Sequence, residues 1–569
     1  MTTPVLVDET PESLHHATDR KAQEETNASI ASATGILALG NVASRVLGLA
    51  REMVVTYLFG ASRIVDAFQV ATVVIRAIYD LLIGGHVNGA FIPVLTEVIT
   101  VYGKQELWRV VSILMSVVIT LITGLVLLVY LFAPQIVSAT ASGASPETMR
   151  VAIDLLRFTA PALLFLALFA IFSATLYALK QFTLPAFAGV IFNGSIVAVT
   201  LLFTPSFQVQ IAPFTVTSNL NWLDPFSIAR PDNGILMVAV GWLVGAVLQM
   251  VIQLWGLRSA KLRFTFNWRH PALRHITLLY APVMLSLMLD TLVARPYSYN
   301  LASKTGEGSI AYMNWATTLI QFPQGLVATA ISVAILPTLA GQAAAFGAAT
   351  ERAFRDTLGL GLRLTMTLIL PATAALMVLA VPIIQLLFQH GLFTASDTAI
   401  TANALRLYLI GLPFAAIDLL LVYAFYARKD TLTPTFIGII SLAVYMLTAN
   451  LLLPRYGLYS LMVADSVKHI THATISAYFL HRKLGGFGEQ RLLQTTLKTL
   501  VAAGVMALAA RFVLPILYST IGTGGLVRES MLLLIVGGIS TTIFVVVAYF
   551  LKIEEFMWLL RLVRMRMWR

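Results

Sequence analysis

Stretches of about 18 or more apolar residues recur from Ile30 to Leu551, each long enough to cross a hydrocarbon layer of about 30 Å as a helix. In lipid every backbone polar group needs a partner within its own segment, so such a chain folds as a bundle of membrane-spanning α-helices. Only 11% of the residues are charged, against about 25% in soluble domains, which excludes an ordinary soluble enzyme. Cysteine is absent, so disulfides, thiolate metal sites and cysteine nucleophiles are excluded.

Read against Pro, Gly and charged punctuation, the apolar runs give fourteen spans: 31–58, 64–92, 109–133, 152–179, 184–204, 233–256, 273–301, 309–339, 358–388, 403–427, 433–453, 457–481, 493–517 and 529–551. The net charge of +11 would suggest nucleic acid in a soluble protein, but here the basic residues report topology, and no nucleic-acid partner is expected. With the N-terminus inside, the cytoplasmic segments take Arg258, Lys261, Arg263, Arg269 and Arg274 in one loop and Arg561, Arg564, Arg566 and Arg569 at the C-terminus. The opposite loops take Arg63, Arg150, Arg230, Lys304, Arg455 and Arg528. The positive-inside rule therefore places both termini in the cytoplasm. Residues 1–29 are polar, mostly acidic and lack a signal-peptide core, so they read as a disordered cytoplasmic tail.

Residues 174–185, ATLYALKQFTLP, resemble residues 423–434, YAFYARKDTLTP, at an offset of 249, and Phe91-Ile92-Pro93 matches Ile335-Leu336-Pro337 at 244. A nearly constant offset spanning six helices implies two homologous lobes related by an axis along the membrane normal. The expected organisation is a 30–257 N-lobe, a basic loop 258–272, a 273–484 C-lobe, two further helices in 485–551 and a basic cytoplasmic tail 552–569. Paired lobes rocking around a central cavity make alternating access the default mechanism.

Charges inside spans cost roughly 2.5–3.5 kcal/mol each, so they should face a cavity or a partner. The first span holds Arg45, Arg51 and Glu52; the second holds Asp66, Arg76 and Asp80, then loosens at Gly84-Gly85-His86. Positions 45 and 52 share a helix face, and Arg76 and Asp80 are one turn apart. These charges either neutralise one another as an ion-pair network or present guanidinium forks to an anionic group. The excess of arginine over acid favours the anion. The seventh span carries Asp290 and Arg295, either a local pair across Pro296 or a second-lobe contribution to the anion site. The twelfth carries Asp465, Lys468, His469 and His472 on one stripe, either a proton or cation path or a self-compensated helix interface; Asp418 reads as a local or helix-end residue. The sequence has no Walker A loop, dinucleotide fingerprint, HExxH or GxSxG, so no enzyme activity is expected and transport would draw on an ion gradient, membrane potential or substrate flux.

The segments NVASRVLGLARE (41–52), FGASRIVDAF ending at Phe68, GAFIPVLTE ending at Glu97, FPQGLVATAISVAILPTL from Phe322 and FYARKDTLTP from Phe425 resemble the MurJ (MviN) lipid II flippase family of the MOP exporter superfamily. The resemblance implies fourteen helices in two lobes and export of undecaprenyl-diphosphate-linked peptidoglycan precursor across the bacterial cytoplasmic membrane. It puts Arg45, Arg51 and Asp66 at family positions, with Glu52 replacing an aspartate. Tyr79 and Thr318 stand where the family has arginines, so Arg76 and Arg295 are expected to compensate for them in one cavity. The expected diphosphate contacts are Arg45, Arg51, Arg76 and Arg295, supported by Glu52, Asp66, Tyr79, Asp80 and Thr318. By the same resemblance Asp290 is a candidate sodium ligand and the last two helices are a candidate groove for the polyprenyl tail. Lipid II or a related polyprenyl-diphosphate lipid, membrane lipids and cell-wall synthesis proteins are the expected partners. The alternatives are an exporter of another lipid-linked oligosaccharide, a cation-coupled multidrug antiporter, or a scaffold of the cell-wall machinery.

Overall fold

The computed structural model describes residues 36–37, 39–83, 85–203, 207–211, 214–218, 233–265, 270–271, 289–344, 348–486, 490–522 and 525–558, with the side chains of 81–90, 93, 207–218, 233, 289, 290 and 348 outside that description. The tail 1–29 and residues 559–569 of the basic C-terminus also lie outside it. Among the described residues the regular structure is helical apart from a two-stranded antiparallel ladder, Phe207–Ile211 with Phe214–Ser218, in the loop after the fifth expected span.

Helix α1 covers residues 39–59 and is followed by α2, Arg63–Ile83, α3, Gly85–Leu131, α4, Ala133–Thr140, α5, Pro146–Thr159, α6, Ala162–Ala178, α7, Thr183–Phe203, and α8, Asn233–Gly256. A π-helical turn, Leu289–Ala294, leads into α9, Arg295–Ser303; then come α10, Ser309–Pro323, a second π turn, Gln324–Thr329, and α11, Ala330–Ala344. The remaining helices are α12, Ala348–Phe388, α13, Ala395–Ala427, α14, Leu432–Tyr456, α15, Tyr459–Leu484, α16, Leu492–Ile521, and α17, Leu526–Phe550. Each π turn adjoins a proline, Pro296 or Pro323, whose missing N–H and ring bulk disturb the regular i to i−4 ladder.

Among the described residues nine helical stretches are long and apolar enough to cross a membrane, and ten when α5 and α6, bent by 41°, count as one span. Helices α1, α2 and α15 are not among them, and they carry many of the charged residues picked out above, including Arg45, Arg51, Glu52, Asp66, Arg76, Asp80, Asp465 and Lys468. The second expected span is corrected: α2 stops at Ile83, and the residues expected to finish it belong to α3, which continues through the expected loop at 93–108. Gly103, at φ 83° and ψ 179°, kinks α3 where that loop was expected. Glycine supplies this positive φ without the Cβ clash other residues meet.

The internal repeat is visible in the backbone. At the end of α6, Lys180 lies at φ 60°, its N–H bonds to the Tyr177 carbonyl at 2.9 Å, and the Gln181 N–H reaches the Leu176 carbonyl at 2.8 Å. At the end of α13, Lys429 lies at φ 60°, with the matching bonds to Tyr426 at 2.9 Å and from Asp430 to Phe425 at 3.0 Å. The two motifs close their helices with the same left-handed turn.

The packing divides into two compact units whose bounds do not follow the expected lobes. One comprises Met1–Arg51, Ile78–Tyr130 and Arg157–Val283; the other Glu52–Ala77, Leu131–Leu156 and Met284–Arg569. Leu95, Leu107, Val111, Phe172, Leu176 and Leu257 centre the first, joining α3 to α6. In the same unit α1 lies close on α7: a Cβ on Gly189 would stand 2.2 Å from Ser44 Oγ, so glycine permits the approach. In the second unit Leu339, Phe354, Leu358, Leu420, Phe425 and Leu480 join α11, α12, α13 and α15. Here α16 and α17 pack on α12 through Met506, Ala510, Val536, Leu379 and Ala375. Its early segments are locked to its later ones by backbone contacts. The Leu392 N–H donates to the Tyr57 carbonyl at 3.1 Å, and a Cβ on Gly391 would lie 2.2 Å from that carbonyl oxygen.

Candidate functional site

Each unit presents its own set of polar side chains on otherwise apolar helices. In the first, Arg51 Nη1 donates to Asn193 Oδ1 at 3.0 Å, and Asn193 Nδ2 donates to the Gly189 carbonyl at 2.9 Å and the Ser44 carbonyl at 3.4 Å. Asn193 therefore fixes the Arg51 guanidinium from α7 while tying α7 to α1. Gly48 faces Asn193, an ideal Cβ standing 3.8 Å from its Nδ2, which leaves room for the amide. Arg45 is half-buried on the same helix, about 1.7 turns before Arg51. Tyr79 and Asp80 also belong to this unit and are half-buried.

In the second unit Glu52 is 5% exposed and accepts from Trp315 Nε1 at 3.2 Å. Trp315 is fully buried against Phe388 and Phe393, so the indole that holds Glu52 is itself fixed by aromatic packing. Asp66, 6% exposed, accepts from the backbone N–H of Gly308 at 2.7 Å and of Ala311 at 2.9 Å. It satisfies orphan donors at the start of α10 and complements that helix's positive end, a cap supplied by another helix.

Around Tyr299 the second unit gathers charge. The Tyr299 hydroxyl donates to Asn314 Oδ1 at 2.7 Å, and Arg76, Arg295 and Glu52 all act on it electrostatically. Arg76 is half-buried on α2, and Arg295 is exposed at the start of α9. Thr318 turns its hydroxyl to the Asn314 carbonyl at 2.9 Å. The side chain of Asp290 lies outside the described residues, as does that of His86.

Arg51 and Glu52, adjacent in sequence, each have a partner on another helix: Arg51 donates to Asn193 and Glu52 accepts from Trp315. One expectation is revised. Asp418 is not a helix-end residue: its Oδ1 lies 2.6 Å from His472 Nδ1 on α15. Asn193, Trp315, Tyr299 and Asn314 were missed. Asn193 was visible in principle as the one amide in apolar α7, whereas the others look like ordinary core residues.

A profile of the family described as lipid II flippase MurJ matches residues 55–533. The chain is 29% identical to the lipid II flippase MurJ of Burkholderia cenocepacia over 431 residues, covering 73% of this chain and 76% of that protein. It is 28% identical to the probable lipid II flippase MurJ of Haemophilus influenzae over 497 residues, covering 83% and 90%. Among solved structures, a lipid II flippase MurJ in an inward closed conformation superposes with a TM-score of 0.71 at 23% identity, covering 91% of this chain and 98% of that one. An inward-facing MATE multidrug resistance transporter of the MOP superfamily gives 0.61 at 15% identity, covering 78% and 94%. At these identities the two structures bear on the fold alone.

Proposed function

Since the chain belongs to the lipid II flippase MurJ family, we propose that it carries lipid II from the inner to the outer leaflet of the bacterial cytoplasmic membrane by alternating access. The observation that carries this reading is a family match running from α1 into α17. The guanidinium fork of arginine matches a diphosphate, and Arg45, Arg51, Arg76 and Arg295 are the candidate contacts. Glu52, Asp66, Tyr79, Asp80 and Thr318 support them. Asn193 holds Arg51 from one side, which reduces the ordering cost of binding an anion. The exposed apolar face of α16, including Leu493, Leu497, Leu508, Phe512 and Ile516, suits a polyprenyl tail. Asp290 is a candidate sodium ligand; a sodium-dependent rise in thermal stability that disappears in Asp290→Asn supports it, and an unchanged rise removes it.

Tyr79 and Thr318, in place of family arginines, favour one second reading, an exporter of another polyprenyl-diphosphate glycan. Native mass spectrometry of the purified protein with lipid II, a second undecaprenyl-diphosphate glycan and undecaprenyl phosphate, repeated on Arg45→Ala and Arg51→Ala, separates the two. Selective, arginine-dependent retention of lipid II supports the first reading. Preference for the other glycan moves the second ahead.

A further inference from the structure

Helix α15 carries two ionisable clusters that differ in how their charge balances. In one, Lys468 Nζ lies 2.7 Å from Asp465 Oδ1, and His469 Nε2 lies 3.6 Å from Asp465 Oδ2. The Lys468 ammonium also sits 5.7 Å from the centre of the Tyr445 ring on α14, whose hydroxyl is 2.6 Å from Ser298 Oγ on α9. Lysine and aspartate balance each other here without a proton on His469. The other cluster, one turn further along, joins His472 to Asp418 on α13 at 2.6 Å, with side chains 16% and 15% exposed. It is neutral only when the pair holds one proton, as in an imidazolium beside a carboxylate, because without that proton the aspartate is a net negative charge between apolar helices.

The surroundings of His472 point the same way. Ser476 Oγ lies 3.3 Å from its Nδ1. Its Nε2 lies 3.9 Å from where a Cβ on Gly438 of α14 would stand, so that side of the ring faces a position without a side chain. From α13 the titratable groups near this stretch include Tyr426, whose ring lies 6.3 Å from that of Tyr423, and Tyr408, which interacts with Asp465; from α14 there is Tyr445, against whose ring Lys468 sits. On α15 they are Asp465, Lys468 and His469. Among the described residues no second carboxylate and no lysine is hydrogen-bonded or ion-paired with His472 or Asp418.

We propose that His472 and Asp418 form a proton-binding site in the C-terminal half of the molecule, and that its loading couples transport to the proton gradient. A single proton changes the net charge of the pair from −1 to 0, and charge in a low-dielectric bundle is costly enough for that change to bias how α13 and α15 pack. The coupling, though not the site, rests on the lipid II reading.

The site is tested by NMR of histidine-labelled, full-length protein in nanodiscs. The expected result is one imidazole signal, absent in His472→Gln, that passes from the imidazolium to the neutral form between about pH 5 and 9. Asp418→Asn should weaken its proton binding by roughly tenfold or more. A signal fixed in one form throughout, or one indifferent to Asp418→Asn, overturns the site. In proteoliposomes, lipid II transfer by the unsubstituted protein should respond to an imposed pH gradient, and transfer by His472→Gln should persist without that response. A response retained in His472→Gln overturns the coupling. Absence of transfer by the unsubstituted protein rejects the lipid II reading and the coupling with it, while the NMR titration still decides the site.

Discussion

Two buried carboxylates, Glu52 and Asp66, are satisfied by partners that lie 263 and more than 240 residues away. Because Asp66 serves two backbone donors, Asp66→Ala should destabilise the protein by about 1–3 kcal/mol, with Asp66→Asn between it and the parent. Thermal unfolding in detergent measures both. On the transport side, Arg76→Gln and Arg295→Gln should each lower lipid II transfer about tenfold or more, the scale of losing a charge-assisted hydrogen bond. Near-parental transfer in both variants would remove these residues from the diphosphate contacts. Outside the spans, burial alone would push the Asp430 carboxyl up, but Lys483 and Thr433 hold it below its usual value. The stability this contributes is present above the ordinary carboxylate range and is lost as pH falls through the depressed value. The arginines were legible because charge in an apolar run is conspicuous. Asn193 and Trp315 were not, since only the fold brings them to Arg51 and Glu52.

The helices themselves were largely legible, because uninterrupted hydropathy dictates them. The misread element was the second span, where a glycine pair in a run of apolar residues hides a helix boundary and Gly103 bends a helix instead of ending it. The repeated turn gives a direct test. Lys180 and Lys429 hold a left-handed conformation that costs an L-residue roughly 1 kcal/mol and a β-branched one more. Lys429→Gly should therefore leave stability unchanged or slightly raised, whereas Lys429→Val should lower it by about 1–2 kcal/mol, as measured by thermal unfolding. Gly189→Val should separate α1 from α7, because even its Cβ would collide with Ser44, and should weaken lipid II retention by displacing Asn193 from Arg51. Retention at the parental level would show that the Arg51 contact to Asn193 does not matter for binding.

For the molecule as a whole, the sequence repeat and the packing give different partitions. Homology records a duplication, so it divides the chain once in the middle. Packing groups residues by contact, so Asp66 and Tyr57 fall with the second half whose backbone they bind. No reading of periodicity could anticipate that, because it depends on hydrogen bonds between segments far apart in sequence. The absence of cysteine allows the orientation to be checked without a background to remove. A single cysteine at Gly306 should react with an impermeant thiol reagent from outside intact cells, and one at Gly486 should react only after the membrane is opened; the reverse pattern would invert the topology. The central claim is translocation of lipid II, and the most direct measurement is its transfer between leaflets of proteoliposomes holding the purified protein. The account predicts transfer well above that of protein-free vesicles and its loss in Arg45→Ala and Arg51→Ala. Transfer equal to protein-free vesicles, or undiminished in both variants, would contradict it.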